Sequence, residues 1–271
     1  MCGVVGIIGK KNASSLVLEG LKKLEYRGYD SAGIASFYQK SIQVAKSEGK
    51  LVNLINKVND LAKDNLYYDT SIALGHTRWA THGNINIKNA HPLTSENRVA
   101  VVHNGIIENY DSIKKTLETE GYVFVSQTDT EVLPHLFTKY LKNGHDFLQA
   151  GRLVLKDIKG AFAFVAICLD FPDQLFVSRN SSPLAIGLGE GSNFVGSDAQ
   201  SINHLTNKII YLEDGDYALI KVNNIEIFDK NSNKVDRKII NVQSELGLIT
   251  KGGYKHFMEK EIYEQPSVIP H

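Results

Sequence analysis

Cys2 is the residue whose position offers the most distinctive chemistry. Removal of Met1 would leave one residue carrying both a thiol and a free α-amine, two groups that titrate close together just above neutral pH. A nucleophile and its proton acceptor would then share one residue. Burial beside apolar strand residues would lower the pKa of the amine and keep it as the free base. Most lone cysteines are small buried hydrophobes, and Cys168 is expected to be one of them.

Two polar segments in the middle of the chain could complete a site around this nucleophile. They are His76–Gly83 and His103–Gly105. Each also has a simpler interpretation, because a Trp stacked on an Arg is common in surface loops and Asn-Gly is typical of a tight turn. Taken one at a time, the simpler interpretations are favoured. Taken together with Cys2 and Gln127–Glu131, the segments supply the parts needed to hydrolyse an amide on an amino acid.

Residue types that bind metals also occur in this region, namely His76, His82, His91, His103, Asp129 and Glu131. No pair of them has the spacing that sets two ligands on one face of an element, so we expect no metal ion. The glycine-rich stretch 187–192 lacks the third glycine of a nucleotide-binding loop and opens no clear helix. It predicts a turn, and we expect no cofactor.

Composition excludes several classes of protein. The chain has 271 residues, 30 Lys and Arg against 30 Asp and Glu, and two cysteines. It is long enough to bury a core, and its zero formal net charge argues against nucleic acid or an anionic membrane as partner. The longest apolar run, Ala161–Leu169, is about half the ~18 residues that indicate a membrane span. Two cysteines and no secretory signal pattern favour a reducing, cytoplasmic setting.

Hydrophobic periodicity predicts many short strands and a few helices. The predicted strands are Val4–Ile8, Ala32–Tyr38, Ile42–Ser47, Ser71–His76, Val99–His103, Ala161–Leu169, Gln174–Ser178, Leu184–Leu188, Ile209–Leu212, Tyr217–Val222 and Ile225–Phe228. The predicted helices are one that begins at Asn12 or Ser14 and stops at a left-handed Gly28, then Lys50–Asp64, Asp129–Leu141 and Phe147–Ile158. The strand from Ala161 is apolar on both faces, so we expect it at the centre of a covered sheet. Two sheets with helices outside would satisfy this pattern.

The order and spacing of the motifs resemble class II glutamine amidotransferases, which are N-terminal-nucleophile hydrolases. The motifs that carry the resemblance are the Cys-Gly start, Tyr26–Gly33, His76–Gly83, Asn89–Pro92, His103–Asn109 and Thr128–Glu131. The resemblance covers essentially the whole chain. It implies an α+β fold, a four-layer αββα sandwich of two mainly antiparallel sheets between helix layers.

The resemblance also implies a role for each matching residue. Cys2 would be the nucleophile after Met1 removal, with its amine as general base and then general acid. Asn104 and Gly105 match the oxyanion-hole positions, one side-chain amide and one backbone N–H. The substrate would be L-glutamine, hydrolysed to glutamate and ammonia through a thioester.

Recognition of zwitterionic glutamine requires local charges in a neutral protein. By resemblance, Arg78 would grip the α-carboxylate and Asp129 would accept from the α-ammonium. Thr81 and His82 match further glutamine-binding positions, and Trp79 matches a mobile aromatic that covers the site. The residues matching positions that support the pocket are Arg27 and His91.

Tyr26–Gly33 and the closing Glu259–Pro266 most resemble the members of the class that aminate a sugar phosphate. This implies a glutaminase domain over residues 1–240 and a tail or linker over 241–271. The partner would be a C-terminal sugar-phosphate isomerase region that binds fructose 6-phosphate. We expect this region to be absent from this chain. Two alternatives remain: the glutaminase part of another class II amidotransferase, or a catalytically silent glutamine-binding module.

Overall fold

The computed structural model describes residues 2–9, 12–62, 70–79 and 85–242, and four single residues beyond them, Tyr254, Glu259, Ile262 and Tyr263. The chain divides into two compact units, Met1–Asn241 and Val242–His271. In the smaller unit the rings of Tyr254 and Tyr263 stack with centroids 5.6 Å apart.

Strands dominate the described residues of the larger unit. The strands are β1 (Gly3–Ile8), β2 (Ser31–Tyr38), β3 (Ser41–Glu48), β4 (Ile72–Arg78), β5 (Leu93–Ser95), β6 (Val99–Ile107), β7 (Gly160–Cys168), β8 (Phe171–Asn180), β9 (Ala185–Gly189), β10 (Ser192–Gly196), β11 (Lys208–Tyr211), β12 (Tyr217–Ile220), β13 (Ile225–Phe228), β14 (Lys234–Val235) and β15 (Ile239–Asn241). The helices are α1 (Ala13–Lys22), α2 (Leu51–Ala62), α3 (Tyr110–Thr119), α4 (Val132–Lys142) and α5 (Phe147–Asp157).

The strands form two antiparallel sheets. One has the order β15-β11-β9-β10-β1-β4-β2-β3, and the other has the order β14-β13-β12-β8-β7-β6-β5. Helices α1 and α2 pack on the first sheet, and α4 and α5 pack on the second. The predicted four-layer αββα arrangement is confirmed. Among the described residues, no helix is long and apolar enough to cross a lipid bilayer.

Strand β7 shows why the second sheet lies inside the molecule. Side chains alternate between faces of a strand, and both faces of β7 are apolar: Ala163, Val165 and Ile167 join the core between the sheets. Phe164 and Cys168 join the core under the helices. With β8 on one side and β6 on the other, β7 is the covered central strand that its composition predicts. Cys168 is a buried core residue, as expected.

The prediction of a left-handed helix stop at Gly28 is wrong. Helix α1 ends at Lys22, a short 3₁₀ turn follows, and Gly28 is extended with φ of −179°. A β-carbon at Gly28 would lie only 2.8 Å from the backbone of Arg78 and Trp79. The glycine therefore serves close approach of two chain segments rather than a turn.

The alternative of a tight turn at Asn104-Gly105 is also wrong, because both residues lie within strand β6. Helix α3 was not predicted, since Ile113 and Leu117 are its only buried residues and too few to establish a helical period. The glycine-rich stretch 187–192 contains the turn between β9 and β10, as expected, but β10 itself was missed.

Replacing Phe176 by Ala tests the core under the helices. The fully buried ring of Phe176 packs against Phe137, Phe147 and Phe164 with centroids 5.5, 6.0 and 6.0 Å away. We expect Phe176→Ala to lower the free energy of unfolding by about 3–5 kcal/mol in urea titrations, because a cavity replaces a large ring. Val123→Ala, at a side chain 74% exposed, is the control and should change stability by less than about 0.5 kcal/mol. Equal effects would contradict this view of the core.

Candidate active site

Three strands bring the polar residues of the candidate site to one end of the space between the sheets. Val4, Leu74 and Val102 belong to the core between the sheets. Because side chains two residues apart share a face, Cys2 of the segment entering β1, His76 of β4 and Asn104 of β6 face the same layer. The pairing of Val4 with His76 sets β1 and β4 in register, so Cys2 lies near the end of β4 at Arg78.

The thiol of Cys2 is held by the backbone of Trp79. The N–H of Trp79 donates to Sγ at 3.3 Å, and the thiol donates to the carbonyl oxygen of Trp79 at 3.6 Å. Burial raises the pKa of the Cys2 thiol, while the Trp79 hydrogen bond and the charge of Arg78 act in the opposite direction. Gly28 lies so close to the backbone of Arg78 and Trp79 that a β-carbon there would be 2.8 Å from it, so a side chain at position 28 would have to displace this N–H.

Asn104 is hydrogen-bonded to the backbone of Cys2. Its Nδ2 donates to the carbonyl oxygen of Cys2 at 3.1 Å, and its Oδ1 lies 3.1 Å from Nε2 of His76. The next residue, Gly105, has φ of +125°, and a β-carbon there would lie 2.0 Å from the carbonyl oxygen of Ala161. Only glycine fits this conformation and this space.

Three buried histidines lie beneath Asn104. The rings of His76 and His91 are 4.3 Å apart, and Nδ1 of His103 lies 2.8 Å from Oγ1 of Thr130. Burial is the main cause that lowers the pKa of each ring, to about 3 for His76 and well below the ordinary 6.5 for His91. The cluster is therefore neutral at physiological pH. Across the described part of the chain, no three His, Cys, Asp or Glu residues are placed to hold a metal ion.

Opposite charges face each other beside the thiol. Arg78 is buried, which lowers its pKa, and the negative charges of Cys2, Asp30 and Asp129 act against that shift. Oδ2 of Asp129 accepts the N–H of Ile107 at 2.6 Å, which ties this carboxylate to the end of β6. Arg78 and the two carboxylates that act on it, Asp30 and Asp129, bring together charges of both signs, as an α-amino acid does.

Glu131 holds the segment that leads into Asp129. Its carboxylate accepts the backbone N–H groups of Val125 at 2.9 Å and Ser126 at 2.7 Å. Asn89 adds a second tie, since its Oδ1 accepts the N–H of Gln127 at 2.8 Å. The sequence offered Glu131 as a possible metal ligand and as part of the Gln127–Glu131 segment, but did not indicate these hydrogen bonds. A carboxylate two residues after Asp129, at the start of a helix, is the signal that could have identified this structural role.

The remaining predicted site residues lie around this centre. Trp79 is 45% exposed, with its ring edge-on to Tyr29 at 6.0 Å. Arg27 forms an ion pair with Asp198 at 2.6 Å. The predicted glutamine-binding residues Thr81 and His82 lie outside the described residues. Asp30 was not singled out in the sequence, although it follows the Tyr-Arg-Gly-Tyr segment that contacts Arg78.

Comparisons with known proteins agree with this arrangement. Residues 76–204 match the family model described as a glutamine amidotransferase domain. A solved structure of glutamine phosphoribosylpyrophosphate amidotransferase from B. subtilis, complexed with ADP and GMP, is 26% identical with a TM-score of 0.71, covering 86% of this chain and 50% of that one. A class II glutamine aminotransferase domain protein from Silicibacter pomeroyi shares the fold at 15% identity, with a TM-score of 0.57 over 84% of this chain and 99% of that one. The chain belongs to the class II glutamine amidotransferases, which have the N-terminal-nucleophile hydrolase fold.

Within that class, its curated relatives are glutamine–fructose-6-phosphate aminotransferases (isomerizing). The protein from Fusobacterium nucleatum is 49% identical over 99% of this chain and 44% of its own length. The one from Clostridium tetani is 46% identical over 99% of this chain and 43% of its own length. The chain thus spans less than half the length of the curated relatives that it matches.

The neutral histidine cluster predicts that acid destabilises the fold. Below the ordinary histidine pKa of 6.5 the unfolded chain binds protons that buried His76, His91 and His103 do not. Stability therefore falls as pH falls from 6.5 toward 3, and each histidine that stays neutral accounts for about 2 kcal/mol by pH 5.

Urea unfolding at pH 7.5 and 5.0 measures this loss. The control is His103→Gln, in which one fewer imidazole takes up a proton on unfolding. The free energy of unfolding should therefore differ less between pH 7.5 and 5.0 in this variant than in the parent. The same unfolding free energy at both pH values would show that these rings are already protonated in the folded chain.

Proposed function

We propose that this chain hydrolyses the side-chain amide of L-glutamine to glutamate and ammonia, with Cys2 as an N-terminal nucleophile once Met1 is removed. The observation that carries the proposal is the pair of contacts around Cys2. Trp79 donates to its sulfur, and Asn104 donates to its carbonyl oxygen. A thiol that could act as nucleophile and a side-chain amide that could donate to an oxyanion therefore lie together at Cys2.

The reaction follows from the groups at that point. The α-amine of processed Cys2 takes the thiol proton, and Sγ attacks the carboxamide carbon to form a tetrahedral oxyanion. The amine returns the proton to the departing nitrogen, which leaves as ammonia while a thioester remains. Water, deprotonated by the same amine, then attacks the thioester carbon, and the thiol leaves with glutamate as product.

Asn104 and Gly105 are proposed to stabilise the oxyanion. Nδ2 of Asn104 has two hydrogens, and its recorded bond to the Cys2 carbonyl uses one of them. The other, with the backbone N–H of Gly105, would donate to the charge that develops in the transition state. The positive φ of Gly105 turns its peptide away from an ordinary strand conformation.

Arg78 and Asp129 are proposed to bind the α-carboxylate and the α-ammonium of glutamine. Their opposite charges, and the electrostatic interaction of Arg78 with both Cys2 and Asp129, support this assignment. Thr81 and His82 are proposed as further glutamine contacts and Trp79 as a cover for the site. Arg27 and His91 would act indirectly, through the ion pair with Asp198 and through the His76 ring.

The ammonia is proposed to serve the amination of fructose 6-phosphate, in the formation of glucosamine 6-phosphate, by a sugar-phosphate isomerase region outside these residues. The names of the relatives support this assignment. We propose that residues 1–240 are the glutaminase domain and that 241–271 are a linker toward that region. Two free cysteines support a reducing, cytoplasmic setting.

Ammonia release from the purified chain tests the proposal directly. With Met1 absent by intact mass, we expect glutamate and ammonia from glutamine, and no amino sugar when fructose 6-phosphate is added. Cys2→Ala should lower turnover about 10³-fold or more, because the nucleophile is lost. Cys168→Ala, at a buried cysteine remote from this chemistry, is the matched control and should retain activity. Binding of glutamine without turnover would instead indicate a silent binding module.

Arg78→Lys tests how the substrate carboxylate is held. Lysine keeps the charge but loses the planar two-point grip of a guanidinium. We expect kcat/KM for glutamine to fall about 10–100-fold, corresponding to a charged hydrogen bond of roughly 1.5–3 kcal/mol. Arg98→Lys, at a surface arginine paired with Asp170, should leave kcat/KM unchanged. Equal values for parent and Arg78→Lys would show that this guanidinium does not bind the carboxylate.

A further inference from the structure

The side-chain amide of Asn104 can in principle face either way. Its oxygen and nitrogen are nearly the same size, so packing alone does not choose between the two orientations. Under the proposed function, on which this inference rests, the choice decides the chemistry. A nitrogen beside Cys2 donates to an oxyanion, whereas an oxygen there would repel it.

Two backbone carbonyls decide the orientation. Nε2 of His76 lies 3.0 Å from the carbonyl oxygen of His103 and 3.1 Å from Oδ1 of Asn104. A carbonyl oxygen only accepts, so Nε2 of His76 must carry the hydrogen, and the atom of Asn104 that faces it must be the oxygen. The carbonyl oxygen of Cys2, 3.1 Å from the other end of the same amide, likewise requires the nitrogen there.

The other nitrogen of the His76 ring, Nδ1, makes no comparable hydrogen bond among the described residues. This atom is buried and has no partner there. Burying an unsatisfied polar atom is unfavourable, so a histidine at this position needs a compensating role. His76 lies on the inward face of β4, directly across from Val4, where an apolar residue would extend the core formed by Ile72 and Leu74.

We propose that His76 is a positioning residue for the oxyanion hole. Its Nε2–H, fixed as a donor by the carbonyl of His103, holds Oδ1 of Asn104 away from the nucleophile. Both hydrogens of Nδ2 then point toward the Cys2 side, one to the Cys2 carbonyl and one to the substrate oxygen. His76 touches neither substrate nor sulfur in this scheme and acts only through Asn104.

A double-mutant cycle tests whether His76 acts through Asn104. We expect Asn104→Ala to lower kcat about 10²–10³-fold, and His76→Leu to lower it about 10²-fold, with KM for glutamine changed less than about threefold. In the Asn104→Ala background, His76→Leu should lower kcat further by less than about threefold, because no amide remains to be oriented. A full second loss in that background would overturn the proposal, as would a loss confined to KM.

Rescue and tautomer measurements complete the test. His76→Gln supplies an amide N–H near the same point and should recover much of the kcat that His76→Leu loses. Long-range ¹H–¹⁵N NMR on the parent chain should show His76 neutral, with Nε2 protonated and Nδ1 bare. Observing the opposite tautomer would overturn the proposal even if His76→Leu failed to fold. If the parent releases no ammonia, the proposed function fails, and the tautomer still tests the orientation of Asn104.

Discussion

The structure depends on the first strand of the chain lying in the middle of a sheet. Strand β1 is hydrogen-bonded to β4 on one side and β10 on the other, and every residue of it is buried. A chain end would ordinarily fray. Here two ladders and the N–H of Val4 donating to Oγ of Ser197 at 3.1 Å hold it in place. The thiol of Cys2 is thereby presented at a defined position.

Around that position, individual charged residues lie close together, although the chain as a whole has no net charge. The whole chain is formally neutral, so it exerts little long-range attraction on a charged ligand. Instead Arg78 is buried among the charges of Asp30 and Asp129, and Asp129 is fixed by the N–H of Ile107. Charges that are held by fixed partners need little reorganisation when a charged group binds, which is consistent with the glutamine binding proposed above.

Beneath the charges, the site rests on neutral polar groups rather than on a purely apolar core. Three buried histidines with lowered pKa values, His76, His91 and His103, lie together next to Asn104. Neutral imidazoles donate hydrogen bonds without adding positive charge close to Arg78. Their hydrogen bonds fix the orientation of the groups that they contact. Because these rings take up protons only on unfolding, we expect the fold to be sensitive to acid.

Much of the fold could be predicted from the sequence because the signals are local. Short apolar runs identify strands such as Ala161–Leu169, whose two apolar faces place it centrally. Helix α3 could not be found, since its few buried residues acquire meaning only from the helix it packs against, α4. Gly28 was misread for a similar reason. Its role is set by the backbone of Arg78, about fifty residues away, and no local pattern reports such a contact.

The same division holds for the site. The sequence by itself determined which groups are available, because residue type decides chemistry: a thiol at position 2, an amide followed by glycine, an arginine and a carboxylate. Only the tertiary structure decided how they face one another. The register of β1 on β4 places Cys2 near Arg78. The carbonyl group of Cys2 orients the Asn104 amide directly, and the carbonyl group of His103 orients it through His76. Hydrogen-bond direction depends on partners that meet only when distant strands pair.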